Sequence, residues 1–268
     1  MNNCEFKKAI TDLSQGFKNW HMWYAISTIL IKQRYRRSTL GQFWLTLTTA
    51  INIFALGIVW SYLFKLPISS YLLYVASGMV FWNCINSIIN DSSSIFITAE
   101  HYLKQVALPK STFAYVNVSR NIVILGHNLI ILPIIILFNA PNIHISMLGI
   151  LQSFLGLSLF IINGIWISLL LGVIGARFRD LQNIIPSLMQ IILYITPVFW
   201  KIEYMPENIR WWLQMNPFYI FLSLVRNPIL GSTIPPMYWI IASGITIIGL
   251  IIAMMVFTKY RKRIIYWL

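Results

Sequence analysis

Two long runs of this sequence contain no charged residue, Phe43 to Phe64 and Ile68 to Asn90. An α-helix rises about 1.5 Å per residue, so about 20 apolar residues cross the roughly 30 Å hydrocarbon core of a membrane. Both runs are therefore predicted to be transmembrane helices. The composition agrees, because 58% hydrophobic and 10% charged residues leave too few polar side chains to cover a water-facing surface.

The same criterion predicts four further spans, the first of which contains Arg120: 112–138, 146–176, 181–200 and 237–258. Residues 206–230 are apolar in patches, but Asn216-Pro217 and Asn227-Pro228 interrupt them, so short periplasmic re-entrant or gate helices are predicted there. We predict an all-α polytopic membrane protein with six transmembrane helices in a single transmembrane domain, 1–268.

The basic residues predict the orientation of the chain. Lys and Arg collect on cytoplasmic flanks, and a cytoplasmic amino terminus leaves only Lys65, Lys201, Arg210 and Arg226 outside. It places fifteen inside: Lys7, Lys8, Lys18, Lys32, Arg34, Arg36, Arg37, Lys104, Lys110, Arg177, Arg179, Lys259, Arg261, Lys262 and Arg263. The net charge of +13 is thus spread over membrane flanks, including the tail 259–268, and does not form the single basic face of a nucleic-acid-binding protein.

The segment 5–37 is predicted to be an interfacial helix with a basic flank. It mixes aromatic residues such as Phe17, Trp20 and Trp23 with basic ones, a composition suited to the headgroup layer. Its role is either to anchor the chain to membrane lipids or to grip an anionic lipid head. Guanidinium groups match phosphate oxygens, so the candidates for a lipid diphosphate are Arg34, Arg36 and Arg37.

Polar side chains share one face of the second predicted span, at helical spacing: Asn83, Asn86, Ser87, Asn90 and Asp91. Polar groups facing lipid are costly, so this face is directed toward other helices or a hydrated path. Two interpretations stay open: hydrogen bonds between helices, or a lining for a polar, hydroxyl-rich solute. A small residue at every fourth position of the fourth span, from Gly164 to Ala176, predicts a packing seam.

No catalytic, nucleotide-binding or metal-binding motif occurs in the sequence. It has no Gly-rich loop ending in Gly-Lys-Ser/Thr and no paired catalytic carboxylates, and its two cysteines, Cys4 and Cys84, lack metal-ligand spacing. Asp91 is the sole acidic residue at a predicted span, and it lies at the edge, so ion-coupled transport is disfavoured. We expect no enzyme and no cofactor in this chain, but a passive channel or a transporter driven by a partner.

The cytoplasmic loop offers a surface for such a partner. A short helix within 95–108 is predicted, capped by Thr98 and followed by Pro109. It would carry Tyr102, Leu103 and Val106 toward a soluble motor. A plain connecting helix is the equally open alternative.

Several motifs resemble those of the permease subunits of polysaccharide ABC exporters, closest to the O-antigen branch of the type 2 ABC exporters. Arg34-Tyr35-Arg36-Arg37-Ser38 with Leu40-Gly41 and Trp44 is similar to the start of these permeases. The resemblance continues through Ala176-Arg177-Phe178-Arg179-Asp180, Pro186, Pro197, Asn216-Pro217 and Arg226. It covers nearly the whole chain, although Gln42 stands where the family usually has proline.

The resemblance implies a homodimer of permeases in the bacterial inner membrane, with both termini cytoplasmic. Two separate ATPase subunits would bind ATP and Mg, and the substrate would be an undecaprenyl-diphosphate-linked polysaccharide. The resemblance further implies coupling to the ATPase through Glu100, Tyr102, Leu103 and Val106, and gate helices that contain Asn216, Pro217 and Arg226.

Aromatic rings are expected to line the path of a glycan, because sugar C–H groups stack on aromatic faces and loose stacking permits sliding. The candidates are Trp60, Tyr62, Tyr74, Phe81, Trp82, Tyr194, Phe199 and Trp200. Aromatic belts at the membrane interfaces are the alternative role for many of them.

Three other functions stay open at this point. The first two are an ABC exporter of capsule or teichoic acid polymers and one of small amphiphiles. The third is a membrane-embedded enzyme of glycan assembly, for which Asp180 with Glu100 is a thin candidate pair.

Overall fold

The computed structural model describes residues 3–34, 36, 38–41, 43–139 and 146–268. Within these residues the regular structure is entirely helical. The amino-terminal half comprises α1 (Asn3–Lys18), α2 (Trp20–Arg34), α3 (Phe43–Phe64), α4 (Ile68–Ser92), α5 (Ile95–Thr98), α6 (Glu100–Gln105), α7 (Thr112–Asn128) and α8 (Ile131–Asn139). The carboxy-terminal half comprises α9 (Met147–Arg177), α10 (Leu181–Ile195), α11 (Glu207–Gln214), α12 (Pro217–Ile229), α13 (Pro236–Tyr260) and α14 (Ile264–Trp267).

Five helical stretches of the described chain are long and apolar enough to cross a membrane: Phe43–Phe64, Tyr71–Ser92, Thr112–Leu137, Met147–Arg177 and Pro236–Trp267. The predicted fold class, an all-α polytopic membrane protein, is thereby confirmed.

The fifth predicted span, 181–200, is a shorter helix. α10 has 15 residues and therefore a length of about 22 Å, less than the hydrocarbon core. It ends at Ile195 because Pro197 disfavours a helical conformation of the preceding Thr196, whose φ of −88° and ψ of 133° are extended. That the chain crosses the membrane six times therefore stays a prediction.

The third predicted span is also divided. α7 ends at Asn128 and α8 begins at Ile131, with a turn at the two residues between them. Pro133 explains the interruption, because proline has no N–H to donate to the carbonyl of Leu129 and its ring crowds that carbonyl.

α4 is the central helix of the bundle. Of its membrane-spanning window 72% is buried inside the protein, against 17% of the window in α3. It packs against α3, α7, α8 and α9, while α9 in turn packs against α12 and α13. The main core cluster accordingly follows α4 from Tyr71 to Ile88. α3 is a peripheral helix that exposes most of its apolar surface.

The small residues of α9 permit close packing against α4, α5 and α7. A Cβ atom on Gly164 would lie 3.2 Å from Val118, and one on Gly172 would lie 2.7 Å from Ile95. Between them, Ser168 Oγ lies 3.0 Å from Ser92 Oγ. The periodic small residues therefore form the packing seam that their spacing predicts.

The amino-terminal segment forms two helices, α1 and α2, separated at Asn19, where one interfacial helix was predicted. α2 packs against α7, and α1 packs against α7 and α13. Asp12, which is 5% exposed, fastens α1 to the bundle. Its carboxylate accepts hydrogen bonds from the backbone N–H of Ser111 at 3.0 Å and from Arg261 Nη1 at 2.9 Å.

Candidate functional site

A polar chamber of about 490 Å³ lies among α3, α4 and α7. Such a volume falls within the range of about 300–1,000 Å³ that is usual for small-molecule sites. Its wall combines amides, hydroxyls, one carboxylate and one guanidinium with a few apolar side chains: Trp44, Leu45, Thr48, Thr49, Asn83, Cys84, Ser87, Asn90, Asp91, Arg120, Asn121, Ile124, Leu125 and Asn128.

An ion pair lies at one end of this chamber. Arg120 Nη2 on α7 donates to Asp91 Oδ2 on α4 at 2.5 Å, and Asn121 Nδ2 donates to the same oxygen at 3.2 Å. Both charged side chains are partly exposed, Arg120 at 27% and Asp91 at 39%. The pair is thus accessible from the chamber.

Two buried amide oxygens of the chamber wall are unpartnered. Asn90 Oδ1 and Asn128 Oδ1 are both shielded from solvent and accept no hydrogen bond from any described residue. Asn128 is only 3% exposed. A buried acceptor without a partner costs about 1–3 kcal/mol, so the hydrogen bonding of these two amides is incomplete.

The polar residues predicted from the second span divide between two roles. Asn83, Ser87 and Asn90 line the chamber, whereas Asn86 accepts a hydrogen bond from Asn90 Nδ2 at 3.0 Å. Asn117 of α7 belongs to a network between helices. Its Nδ2 donates to Ile88 O at 3.1 Å, Ser92 Oγ at 3.2 Å and Ser168 Oγ at 3.0 Å.

The residues that α3 contributes to the chamber, among them Trp44, Thr48 and Thr49, were not predicted. Trp44 and Thr48 are spaced i, i+4, which places them on one face of α3 and could have indicated a shared surface. Asn128 is one of the polar residues of the third predicted span, together with Arg120 and Asn121, and the crossing of α7 and α4 brings these three to the chamber.

The eight candidate channel aromatics occupy different environments. Phe81, Trp82, Phe199 and Trp200 are buried in the main core cluster, and Trp60 packs against that cluster. Tyr74 is partly buried and donates from its hydroxyl to Trp200 O at 3.0 Å. Tyr62 and Tyr194 are 74% and 60% exposed, and so lie on the outer surface of the bundle.

The residues predicted to form gate helices lie in and beside α12. Asn216 caps α12, its Oδ1 accepting from the N–H of Phe218 at 2.9 Å, and Pro217 is the first residue of the helix. Pro228 does not end α12, which runs to Ile229.

Arg226, which the charge pattern predicts on the outer side of the membrane, is buried inside the protein at 1% exposure. Its Nη1 donates to Pro197 O at 2.8 Å and its guanidinium lies 4.3 Å from the centre of the Tyr74 ring.

The loop between α4 and α7, predicted to be cytoplasmic, contains α5 and α6 where one coupling helix was predicted. The predicted cap at Thr98 is wrong, because Thr98 ends α5 and its hydroxyl donates back to Ser94 O at 3.0 Å. On α6, Leu103 is buried, whereas Tyr102 and the adjoining Val106 are 48% and 50% exposed. These two side chains form an apolar pair on an open surface.

Charged groups of the loop are paired locally. Lys104 Nζ donates to Glu100 Oε1 at 2.6 Å, and this hydrogen bond holds the pKa of Glu100 below its usual value. Burial lowers the pKa of Lys110, whose ammonium donates to the backbone oxygen of Arg261. Asp180, the proposed partner of Glu100 in an enzyme, is exposed.

Of the three arginines predicted to receive a lipid diphosphate, Arg36 is exposed and Arg34 is the last residue of α2. The side chain of Arg34 and the whole of Arg37 lie outside the described residues. In the described part of the chain, no three His, Cys, Asp or Glu side chains are arranged to hold a metal ion.

Comparison with known proteins identifies the family. The family model described as ABC-2 type transporter, a membrane component, matches residues 22–230. Two similar proteins are each called "O-antigen export system permease protein RfbA" from Klebsiella pneumoniae. One is 23% identical over 242 residues, the other 25% identical over 246 residues, and each alignment covers 87% of this chain and 89% of the relative. The match covers well over half of the chain, and the chain therefore belongs to the ABC-2 type transporter family of membrane proteins.

Proposed function

We propose that this chain is the permease subunit of an ATP-driven exporter that moves undecaprenyl-diphosphate-linked O-antigen polysaccharide outward across the bacterial inner membrane. The observation that carries the proposal is its similarity, along 87% of its length, to two proteins named as O-antigen export permeases. The polar chamber among the spanning helices supports it, because a sugar polymer needs hydrogen-bonding groups on its route through an apolar bundle.

The energy source is proposed to be a partner ATPase. The sequence has no Gly-rich loop ending in Gly-Lys-Ser/Thr, and ATP with Mg would bind to two copies of a separate subunit. Glu100, Tyr102, Leu103 and Val106 are the proposed contacts. The exposed pair Tyr102 and Val106 supports this assignment, since exposed apolar side chains on a short surface helix suit insertion into a groove.

The working assembly is proposed to be a homodimer of this chain with both termini in the cytoplasm. Arg34, Arg36 and Arg37 would receive the lipid diphosphate at the cytoplasmic face. The path would continue past the eight aromatic residues to gate helices that contain Asn216, Pro217 and Arg226.

Co-purification tests this proposal directly. The full chain is expressed with an affinity tag from its own locus and extracted in mild detergent. We expect a Walker-type ATPase to be recovered in equal number with it, and its hydrolysis rate to rise with lipid-linked glycan. The absence of an ATPase, or stimulation by small amphiphiles and not by the glycan, would contradict the proposal. The variant Tyr102→Asp should lose the ATPase, while Tyr62→Asp, at the still more exposed Tyr62 of α3, should retain it.

A further inference from the structure

The polar chamber has the chemistry of a sugar site. Each carboxamide presents a donor and an acceptor side by side, and a sugar hydroxyl needs both. Asn83, Asn90 and Asn128 supply three such amides, while Thr48 and Thr49 add hydroxyls. A hydroxyl-rich ligand is therefore matched on several sides at once.

The charge of the chamber favours a neutral ligand over an anionic one. Asp91 and Arg120 are the only ionisable acid and base among its lining residues, and they neutralise each other at 2.5 Å. A phosphate group entering the chamber would meet the Asp91 carboxylate as well as the guanidinium. Arg120 bonds to Asp91 through Nη2 alone, and no described residue accepts a hydrogen bond from its Nη1 or Nε. These donors are available to hydroxyl oxygens while the ion pair stays intact.

Two amides of the chamber wall have unused acceptors. Asn128 is 3% exposed, and its Oδ1 is shielded and accepts from no described residue. Asn90 Oδ1 is likewise shielded and without a donor among the described residues. Both residues belong to the chamber wall, so rotation of either side chain would bring an amide oxygen within reach of a ligand hydroxyl.

Part of the chamber wall is apolar. Leu45, Ile124 and Leu125 line it, and Trp44, which is half-exposed, provides an aromatic face. A pyranose ring has the same division, with hydroxyls around its edge and C–H groups on its faces. A lipid tail would leave the amides unpaired, and a simple inorganic ion would leave the apolar wall unused.

We propose that this chamber binds one neutral sugar residue of the exported glycan, held by Asp91, Arg120 and Asn128. The inference rests on the proposed function, because it takes the ligand from the exported polymer. Asn83 and Asp91 are eight residues apart on α4, about 12 Å along the helix axis. With the predicted cytoplasmic amino terminus, Asp91 lies at the cytoplasmic end, so the sugar enters from that side. A lipid-linked sugar and a free oligosaccharide present the same hydroxyl groups, so the test below compares the two.

The test measures binding to the full chain in lipid nanodiscs. Lipid-linked glycan is isolated from the bacterium that carries the chain, and mild acid releases oligosaccharides from it. Three tritium-labelled probes are compared by equilibrium binding: the released oligosaccharide, the lipid-linked glycan and sugar-free undecaprenyl diphosphate. The variants are Asp91→Asn, which keeps the size of the side chain, and Asn128→Leu, which removes the amide. Asn52→Leu removes an amide from an exposed position on α3 and is the matched control.

We expect Asp91→Asn and Asn128→Leu to weaken binding of the released oligosaccharide at least tenfold and to leave binding of sugar-free undecaprenyl diphosphate unchanged. Asn52→Leu should match the parent chain. Should Asn128→Leu fail to fold, Thr49→Val replaces it, because it removes a lining hydroxyl at constant shape.

Three results would overturn the inference. They are unchanged oligosaccharide binding in the chamber variants, an equal loss in Asn52→Leu, or an equal loss for the sugar-free lipid. A parent chain that restores surface glycan in cells and yet binds no oligosaccharide in nanodiscs would contradict the sugar site and leave the proposed function standing. Failure to restore surface glycan would instead count against the proposed function.

Discussion

Arg120 Nη2 lies 2.5 Å from Asp91 Oδ2 and joins α7 to α4 inside the transmembrane region. The same two residues also line a second cavity of about 200 Å³, bounded by α2, the end of α4, the start of α7 and the short helices α5 and α6. The ion pair therefore separates the polar chamber from the loop that is proposed to contact the ATPase. It is the point at which movement of that loop would first reach the chamber.

Removing both partners of this ion pair should destabilise the chain by less than the sum of the two single removals. Arg120→Ala leaves the Asp91 carboxylate partly buried and unpaired, and Asp91→Ala does the same to the guanidinium. Because both groups are partly exposed, we expect a coupling free energy of about 1 kcal/mol in a double-mutant cycle. Thermal unfolding in nanodiscs measures it, and additive effects of the two substitutions would contradict the interaction.

Gly175→Ala should disturb the contact between α9 and the turn after α4. A Cβ atom there would lie 1.9 Å from the backbone oxygen of Ser93, so a backbone must move. We expect the free energy of unfolding to fall by about 1–3 kcal/mol. Gly244→Ala on α13 is the control, since its Cβ meets nothing within 4 Å and alanine there should stabilise by about 0.5–1 kcal/mol. Equal effects of the two changes would refute the packing argument.

Much of the fold follows from the pattern of uncharged runs. α3 begins at Phe43 and ends at Phe64, the bounds that its uncharged run predicts. This agreement is physical, because the hydrocarbon core imposes both a minimum length and the absence of charge. The early ends of α7 and α10 also had signals in the sequence. Pro133 lacks an N–H to donate, and Pro197 disfavours a helical conformation of the residue before it.

The sequence predicts which residues of α4 face the candidate site, but not which helices complete it. Helical spacing placed Asn83, Ser87 and Asn90 on one face of α4, but it could not say which helix faces them. The pairing of Asp91 with Arg120 depends on how α4 and α7 cross. The burial of Arg226 likewise depends on how α12 packs in the bundle, which a count of flanking charges does not predict.

Asp12→Ala should release α1 from the bundle. The substitution leaves the backbone N–H of Ser111 and the guanidinium of Arg261 without their acceptor, at a cost of about 1–3 kcal/mol. Hydrogen exchange of the amides in 3–18 should rise, while exchange in α4 should not. Glu5, which is also on α1, forms a surface ion pair with Lys262. Glu5→Ala removes this pair and should leave hydrogen exchange in 3–18 and in α4 unchanged. Unaltered exchange in Asp12→Ala would show that other contacts hold α1.

Arg226→Ala should loosen the contact of α12 with α4 and the turn at Pro197. The side chain donates to Pro197 O and stacks on Tyr74, so its loss leaves an unpaired carbonyl and a cavity. We expect a loss of about 2 kcal/mol or more in the free energy of unfolding. Arg226→Lys should not restore it, because an ammonium lacks the planar face and the fork of donors.

The control for Arg226 is Lys65→Asn, a change at an exposed residue with a φ of 53° that asparagine tolerates. It should leave stability unchanged. Full stability of Arg226→Lys would show that charge alone, and not the geometry of the guanidinium, is required.

The most direct measurement of the central claim is the fate of glycan in cells that lack this chain. The coding sequence is deleted and restored from a plasmid, and lipid-linked glycan is assayed on each side of the inner membrane. Export of glycan by this chain predicts that lipid-linked glycan accumulates at the cytoplasmic face, that surface glycan disappears, and that the plasmid reverses both effects. Normal surface glycan in the deletion strain would contradict the account.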